Sequence, residues 1–315
     1  MAKTLGGEVG KNKDLNQKRK GREGFEAHYR EVYQDRWPGL LTALEAPVQK
    51  AARVNRFADR EQIERRVQGL RRVQFGDVEA FIVPAGTRFD PEPCSNGLLD
   101  FFLMDPSSIF AAALCGVEEG MEVLDLCAAP GGKSLLLAER IGKNGSLVCN
   151  ELSPQRRARL RAVLEDYLPS EQLERVRVTG YDGARWCWHE TEAYDRILLD
   201  APCSGERHLL ANAEEMSQWS PARSKNLAVR QYTLLASALA VVRKGGRIVY
   251  STCSISPLEN DSIIARLMKK RPGAVKVVDE APSGFDFAEK TEFGWMILPD
   301  RSGFGPLYAA AIERI

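Results

Sequence analysis

Two short stretches carry residue types that can do chemistry. "RIVYSTCS" runs from Arg247 to Ser254 and delivers a cysteine, Cys253, at the end of an apolar run. "YDRILLDAPCSGERH", Tyr194 to His208, does the same with Asp200, Pro202 and Cys203. A thiol at the end of a strand is a candidate nucleophile, and strand ends are where open α/β sheets hold their ligands. A lone cysteine there is more often buried packing. Cys94, Cys115, Cys127, Cys149 and Cys187 carry that plainer reading as thiols.

A third stretch, "VLDLCAAPGGKSLLLAER", spans Val123 to Arg140. A strand ends, a turn of small residues follows, and a helix opens after Gly131-Gly132. Glycines let a ligand approach the backbone, and first-turn amides favour negative groups. Glu151, about one strand further on, stands where an acid would hold ribose hydroxyls. Asp182, in "VTGYDGARW", ends the next strand and can face an adenine amino group. The turn is neither GxGxxG nor GxxxxGK[ST], which disfavours NAD and ATP. A glycine turn alone is compatible with ordinary strand–helix packing. The turn, Glu151 and Asp182 at three successive strand ends form the pattern of S-adenosylmethionine binding.

The elements that must position these residues alternate from about residue 120 onward. Strands are expected at Glu122–Leu126, Ser146–Asn150, Val176–Thr179, Tyr194–Leu199, Gly246–Ser251, Val275–Asp279 and Leu307–Ile312. Helices fit Lys133–Ile141, Pro154–Tyr167, Pro221–Arg243 and Pro257–Lys270. Short apolar strands suit a buried parallel sheet. The rhythm predicts an α/β fold with a doubly wound, mostly parallel, seven-stranded sheet, its last strand antiparallel. Ahead of it, residues 1–22 read as a disordered basic tail and residues 23–115 as a small helical N-terminal region, leaving 116–315 as the catalytic domain. Phe25, Tyr29 and Tyr33 fall four apart, and Val48 to Val73 has helical apolar spacing.

Composition narrows the setting. The 315 residues are 44% hydrophobic and 28% charged, as in a globular protein. No apolar run approaches the roughly 18 residues that would span a bilayer. Seven cysteines without a CxxC pair fit reduced thiols, and the expected location is cytoplasmic. No His/Cys cluster has zinc spacing, so no metal is expected. Residues 1–75 hold 17 Lys and Arg against 10 Asp and Glu, whereas the remainder is acidic, 27 against 33. The basic N-terminal part is therefore the expected place for a polyanion, with Arg53, Arg56, Arg60, Arg65 and Arg66 along one stretch. Arg156, Arg157, Arg159 and Arg161 form the alternative track. Trp186, Trp188 and Trp219 are candidates for stacking on bases or for core packing, and His208 reads as surface.

"LDLCAAPGGKS", "DAPCSGERH" and "YSTCS", in that order, resemble the signature motifs of the Sun/Nop2 (NSUN, Fmu/RsmB-like) RNA cytosine-5 methyltransferases. The resemblance covers about residues 100–315. More loosely, "HYREVYQDRWPGLL", "ARVNRF" and "FGPLYAA" resemble the short branch typified by the mitochondrial rRNA enzyme, although "PCSGERH" departs from that branch after the Pro-Cys. The resemblance implies a class I, Rossmann-like methyltransferase domain. It implies Cys253 as nucleophile, Cys203 as the thiol that assists adduct breakdown, and Asp200 and Lys133 beside the target base. It implies cofactor contacts by Cys127, Ala128, Ala129, Pro130, Gly131, Gly132, Lys133, Glu151, Arg156, Asp182 and Asp200. Substrate RNA is expected, rRNA ahead of tRNA, with a partner protein or ribosomal subunit left open and no membrane. Methylation of another RNA atom or of a protein, methylation of cytosine in DNA, and a non-catalytic cofactor-binding scaffold are the competing readings.

Overall fold

The computed structural model describes residues 20–315. Most of the expected tail, 1–22, lies outside the described residues; a helix, Gly21–Tyr33, already begins at its end. A second helix follows at Trp37–Glu45, so the chain starts with the expected helical segment. Phe25 and Tyr29 are fully buried on one face of the first helix and pack with Trp37 and Trp219.

Beyond these helices the structure departs from the helical spacing of residues 48–73. That stretch contains strand β1 (Lys50–Val54), a short helix (Arg60–Arg66) and the start of β2 (Arg71–Phe75). With β3 (Val78–Val83) and β4 (Phe101–Met104) they form an antiparallel sheet of order β2-β3-β1-β4. Local preference failed here because Ala51, Ala52 and Arg53 are good helix formers whose side chains are all buried by tertiary contacts. One face of this small sheet, through Ala51, Ala80, Ile82 and Met104, joins the main core. The other, through Ala52, Phe81, Val83 and Phe101, is covered by Ile63 of the short helix.

The main sheet comprises β5 (Glu122–Asp125), β6 (Ser146–Asn150), β7 (Val176–Thr179), β8 (Tyr194–Asp200), β9 (Val242–Thr252), β10 (Val275–Val278), β11 (Glu289–Lys290), β12 (Trp295–Ile297) and β13 (Leu307–Arg314). Seven are the expected strands; β11 and β12 are additional and too short to carry a two-residue alternation. The parallel part runs β7-β6-β5-β8-β9, and β13 adds antiparallel to β9. The outer edge of β13 is shared, Leu307 to Ala309 pairing with β12 and Ala311 to Arg314 with β10.

Both faces of this sheet are buried, and alternate residues report it. Val123, Leu147, Leu198 and Val249 face one core, with Leu135 and Leu160 from the helices on that side. Leu124, Val148, Ile197 and Ile248 face the other, with Leu234 and Leu235 of helix Ala222–Val241 and with Phe25, Tyr29 and Trp37. The N-terminal helices are thus part of the packing of the catalytic sheet. No helix among the described residues is long and apolar enough to cross a membrane.

Candidate active site

Register builds the site. β8 and β9 run parallel with Asp200 opposite Ser251, so the segments that follow them leave the sheet side by side. Cys203 Sγ and Cys253 Sγ lie 2.9 Å apart, within hydrogen-bonding reach. Cys253 is exposed and Cys203 partly buried. The contact with Cys253, then burial, push the Cys203 thiol well above its ordinary pKa. Cys203 therefore keeps its proton near neutrality.

Asp200 is held on both oxygens. Ser251 Oγ donates to Oδ1 at 2.8 Å and Lys133 Nζ to Oδ2 at 2.7 Å. Lys133 also reaches Ser108 Oγ at 3.2 Å. Burial works against the Lys133 ammonium, but the charge and hydrogen bond of Asp200 outweigh it, and the pKa stands above the ordinary lysine value. Lys133 is therefore a fixed cation at the thiol end of the site. Next to it, Asp125 ends β5 almost fully buried, with Ser134 Oγ donating to one oxygen at 2.7 Å. Burial raises its pKa to about 7, against the Ser134 hydrogen bond and with the help of Asp200.

Behind the thiols lies a buried polar cluster. Ser204 follows Cys203 and Ser254 follows Cys253; both hydroxyls contact Glu206 Oε1, and Tyr29 of the first helix donates to the same oxygen at 2.6 Å. Glu259 accepts from Ser204 N at 2.9 Å and from Gln231 at 2.8 Å.

The glycine turn is shaped by neighbours. Gly131 has φ +119°, a region closed to most side chains, and a Cβ there would meet Val163 at 2.9 Å. A Cβ on Gly132 would meet the Phe102 ring at 2.5 Å. Arg156 braces the turn, donating to Ala129 O at 2.7 Å and pairing with Glu151 at 3.1 Å. Glu151 also accepts from Ser153 N. Asn150 ties three strand ends by donating to Leu126 O and Tyr181 O and accepting from Thr179 and Tyr181 N. Asp182 caps the following turn through Ala184 N and lies 3.6 Å from Arg230.

Two cavities meet at Cys127. One of about 430 Å³ is lined by Leu126, Glu151, Leu152, Gly183, Pro202 and Leu234. The other, about 420 Å³, is lined by Phe102, Met104, Asp125, Ala128, Lys133 and Asp200, among others. An apolar slot with a carboxylate at its edge, adjoining a chamber with a buried acid and an ammonium, fits a nucleoside joined to a charged amino-acid tail. S-adenosylmethionine has that form.

The structure therefore gathers Cys203, Cys253, Asp200 and Lys133 at one end and Cys127 to Gly132, Glu151 and Arg156 at the other, with Asp182 beside the first cavity's Gly183 and Arg230. Sequence reading missed Ser108, Asn150, Ser251, Glu206, Gln231 and Glu259. Ser251 and Glu206 lay inside quoted motifs; the others carry no local signal. The basic track needs correction at Arg53, which is fully buried against Glu139, and at Arg60, which is paired with Glu79 and Glu64. Trp186 and Trp219 are core residues, and Trp188 is 73% exposed. Among the described residues, no three His, Cys, Asp or Glu are grouped to hold a metal.

The model of the 16S rRNA methyltransferase RsmB/F family matches residues 112–313. The 5-cytosine rRNA methyltransferase NSUN4 of Bos taurus is 31% identical over 93% of this chain and 88% of its own. A Danio rerio protein named tRNA (cytosine(34)-C(5))-methyltransferase, mitochondrial, is 31% identical over 92% of this chain and 86% of its own. A solved methyltransferase homologue from Pyrococcus horikoshii superposes with a TM-score of 0.76 over 96% of this chain and 98% of its own; at 21% identity that likeness speaks for the fold alone. The cytoplasmic setting expected from the cysteines is corrected by these relatives. The Danio rerio and Mus musculus tRNA enzymes are named as mitochondrial, which points away from the cytoplasm. Reduced thiols are compatible with more than one compartment and could not decide it.

Proposed function

The chain belongs to the RsmB/F family of 16S rRNA methyltransferases, and from that membership we propose that it methylates carbon 5 of an RNA cytosine through a covalent adduct on Cys253. It is an RNA cytosine-5 methyltransferase that uses S-adenosyl-L-methionine. The covalent route, the residue roles and the RNA are our reading. The observation that carries the route is the pair of thiols 2.9 Å apart at the ends of adjacent strands, beside the Lys133–Asp200 pair.

When bound, S-adenosyl-L-methionine supplies a methyl group on a sulfonium, electrophilic enough for an activated carbon. Carbon 5 of cytosine is a weak nucleophile until a thiolate adds to carbon 6. Cys253, the exposed thiol, makes that bond, its proton passing to ring nitrogen 3 of the base. Asp200, fixed by Ser251 and Lys133, accepts from the amino group of the base and from ring nitrogen 3 once that nitrogen has taken up a proton. After transfer, the carbon 5 proton leaves and the carbon–sulfur bond breaks, its electron pair returning to Cys253. Cys203 gives its proton to the departing Cys253 sulfur across their contact and accepts the carbon 5 proton in its place. Glu151 holds the ribose hydroxyls and Asp182 the adenine side, with Cys127 to Lys133 and Arg156 shaping the turn between them.

An rRNA substrate is favoured over tRNA because both the Bos taurus relative and the family description name rRNA. Residues 23–115 extend the surface beside the second cavity through β4, and we assign them to RNA contact, with 116–315 as the methyltransferase domain. The test uses small-subunit rRNA transcript, labelled cofactor and a denaturing gel. Cys253→Ala abolishes methyl transfer and forms no adduct, whereas Cys203→Ala accumulates a protein–RNA band. Near-normal turnover by Cys253→Ala sinks the route.

A further inference from the structure

We propose that Glu206 is a positioning residue that keeps the two thiols in contact, by binding the residue after each of them. The inference rests on the covalent route above and concerns only how Cys203 stays beside Cys253.

Glu206 is fully buried at the first position of a short helix, Glu206–Leu210, although the stretch reads as a polar loop in the sequence. Its Oε1 receives the Ser204 and Ser254 hydroxyls, one from each thiol-bearing segment. Its Oε2 accepts from Ile255 N at 3.0 Å, which fixes the backbone just past Cys253. One carboxylate therefore anchors both segments, and neither is held by a regular strand pairing at that point, since β8 ends at Asp200 and β9 at Thr252. Gly205, with φ +59°, turns the chain so that Glu206 points back into the protein.

A second buried acid completes the arrangement. Ser204 Oγ lies 2.6 Å from Glu259 Oε1 and 2.9 Å from Ser254 Oγ, besides its contact with Glu206. A hydroxyl has a single proton, which cannot serve two carboxylates at once. Both carboxylate contacts of Ser204 are met when Glu206 carries a proton of its own and donates it to Ser204 Oγ, whose own proton goes to Glu259. Like charges this close resist joint ionisation, and burial followed by the Glu259 charge raises the Glu206 pKa. An amide at position 206 supplies that missing proton as an N–H, and alanine removes the anchor altogether.

Loss of the anchor lets Cys203 and Cys253 move apart while the attacking thiol itself is retained. Misplacing a reacting group by ~1 Å slows a step by up to about a hundredfold. The step affected is release, which needs both thiols; adduct formation and methyl transfer need Cys253 alone. The experiment compares wild type, Cys203→Ala, Glu206→Ala, Glu206→Gln and Ser254→Ala on an unmodified small-subunit rRNA transcript. It reads first-turnover methyl transfer, the protein–RNA band and the melting temperature. Glu206→Ala is expected to accumulate the band as Cys203→Ala does, with first-turnover transfer retained, and Glu206→Gln to release product like the wild type. A merely structural role would lower transfer and melting temperature together with no band, and that result overturns the proposal. Should Glu206→Ala fail to fold, Ser254→Ala decides by the same criterion, because it removes the hydroxyl that joins the Cys253 segment to both Glu206 and Ser204. If Cys203→Ala itself traps nothing, the covalent release step is wrong and this inference falls with it; if Cys203→Ala traps RNA and the Glu206 and Ser254 variants do not, only the positioning role fails.

Discussion

Asp200 and Glu151 are both acids at strand ends, yet their partners assign them different work. Asp200 is gripped by Lys133 and Ser251, on the thiol side; Glu151 is gripped by Ser153 and Arg156, on the other side of Cys127. Asp200→Asn should lower the methyl-transfer rate by about 10²- to 10³-fold, the scale for losing one preorganised polar group, with cofactor affinity nearly unchanged. Glu151→Gln should weaken cofactor binding by roughly tenfold and spare the rate at saturation. Calorimetric titration of both variants with S-adenosylmethionine separates them, and equal losses of affinity would undo the assignment. The thiols and the glycine turn were legible in the sequence because they fall in contiguous motifs. Asn150, Gln231 and Glu259 were not, because each acts on a segment distant in the chain. Arg53 misled for a similar reason: a basic residue in a basic stretch reads as surface until Glu139, far along the chain, is seen to bury it. Arg53→Ala should destabilise the protein by about 3–5 kcal/mol through the stranded Glu139, read by urea denaturation, and leave the salt dependence of RNA binding unchanged.

At the scale of elements, β5 through β9 were readable because short apolar runs between turn signals have few alternatives. β1 and β2 were not, since five-residue strands rich in Ala and Arg owe their form to the sheet around them. The end of β5 carries a pH-sensitive group. Asp125 has its pKa raised by burial to about 7 from an ordinary 3.8. Between those values the unfolded chain gives up a proton that the folded one keeps, so this group makes stability fall as pH rises through that window. Below it the contribution is fully present. Asp125→Asn should therefore lose less stability between pH 4 and 7 than the wild type, in melts across that range. A steeper loss in the variant would contradict the assignment. The first helix is tied to the site by Tyr29, which donates to Glu206, and by Tyr33, which donates to Ile255 O at 2.7 Å. Tyr29→Phe should cost roughly 1–3 kcal/mol, because it leaves a buried carboxyl oxygen short of a donor.

For the molecule as a whole, the basic balance of residues 1–75 overstated the free positive surface, because Arg53, Arg60, Arg66 and Arg72 all meet carboxylates. Arg159 is exposed, lines the second cavity and has no carboxylate partner among the described residues; Arg161 contacts only a backbone carbonyl. Replacing both with Ala should reduce the slope of log affinity against log salt by about 0.7 per lost phosphate contact on single-stranded RNA, and Arg60→Ala should not. Filter binding over a salt series checks it; an unchanged slope in the double variant would move the RNA path elsewhere. The sharing of β13 also has a consequence for how the protein is made. β9, which delivers Cys253, pairs on one side with β8 and on the other with β13, about sixty residues later. A nascent chain that has not reached Leu307 leaves β9 as a bare apolar edge, open to pairing with another molecule. Cys253 is then carried by the least protected strand of the sheet, and release from a chaperone before β13 docks favours aggregation over a half-built enzyme.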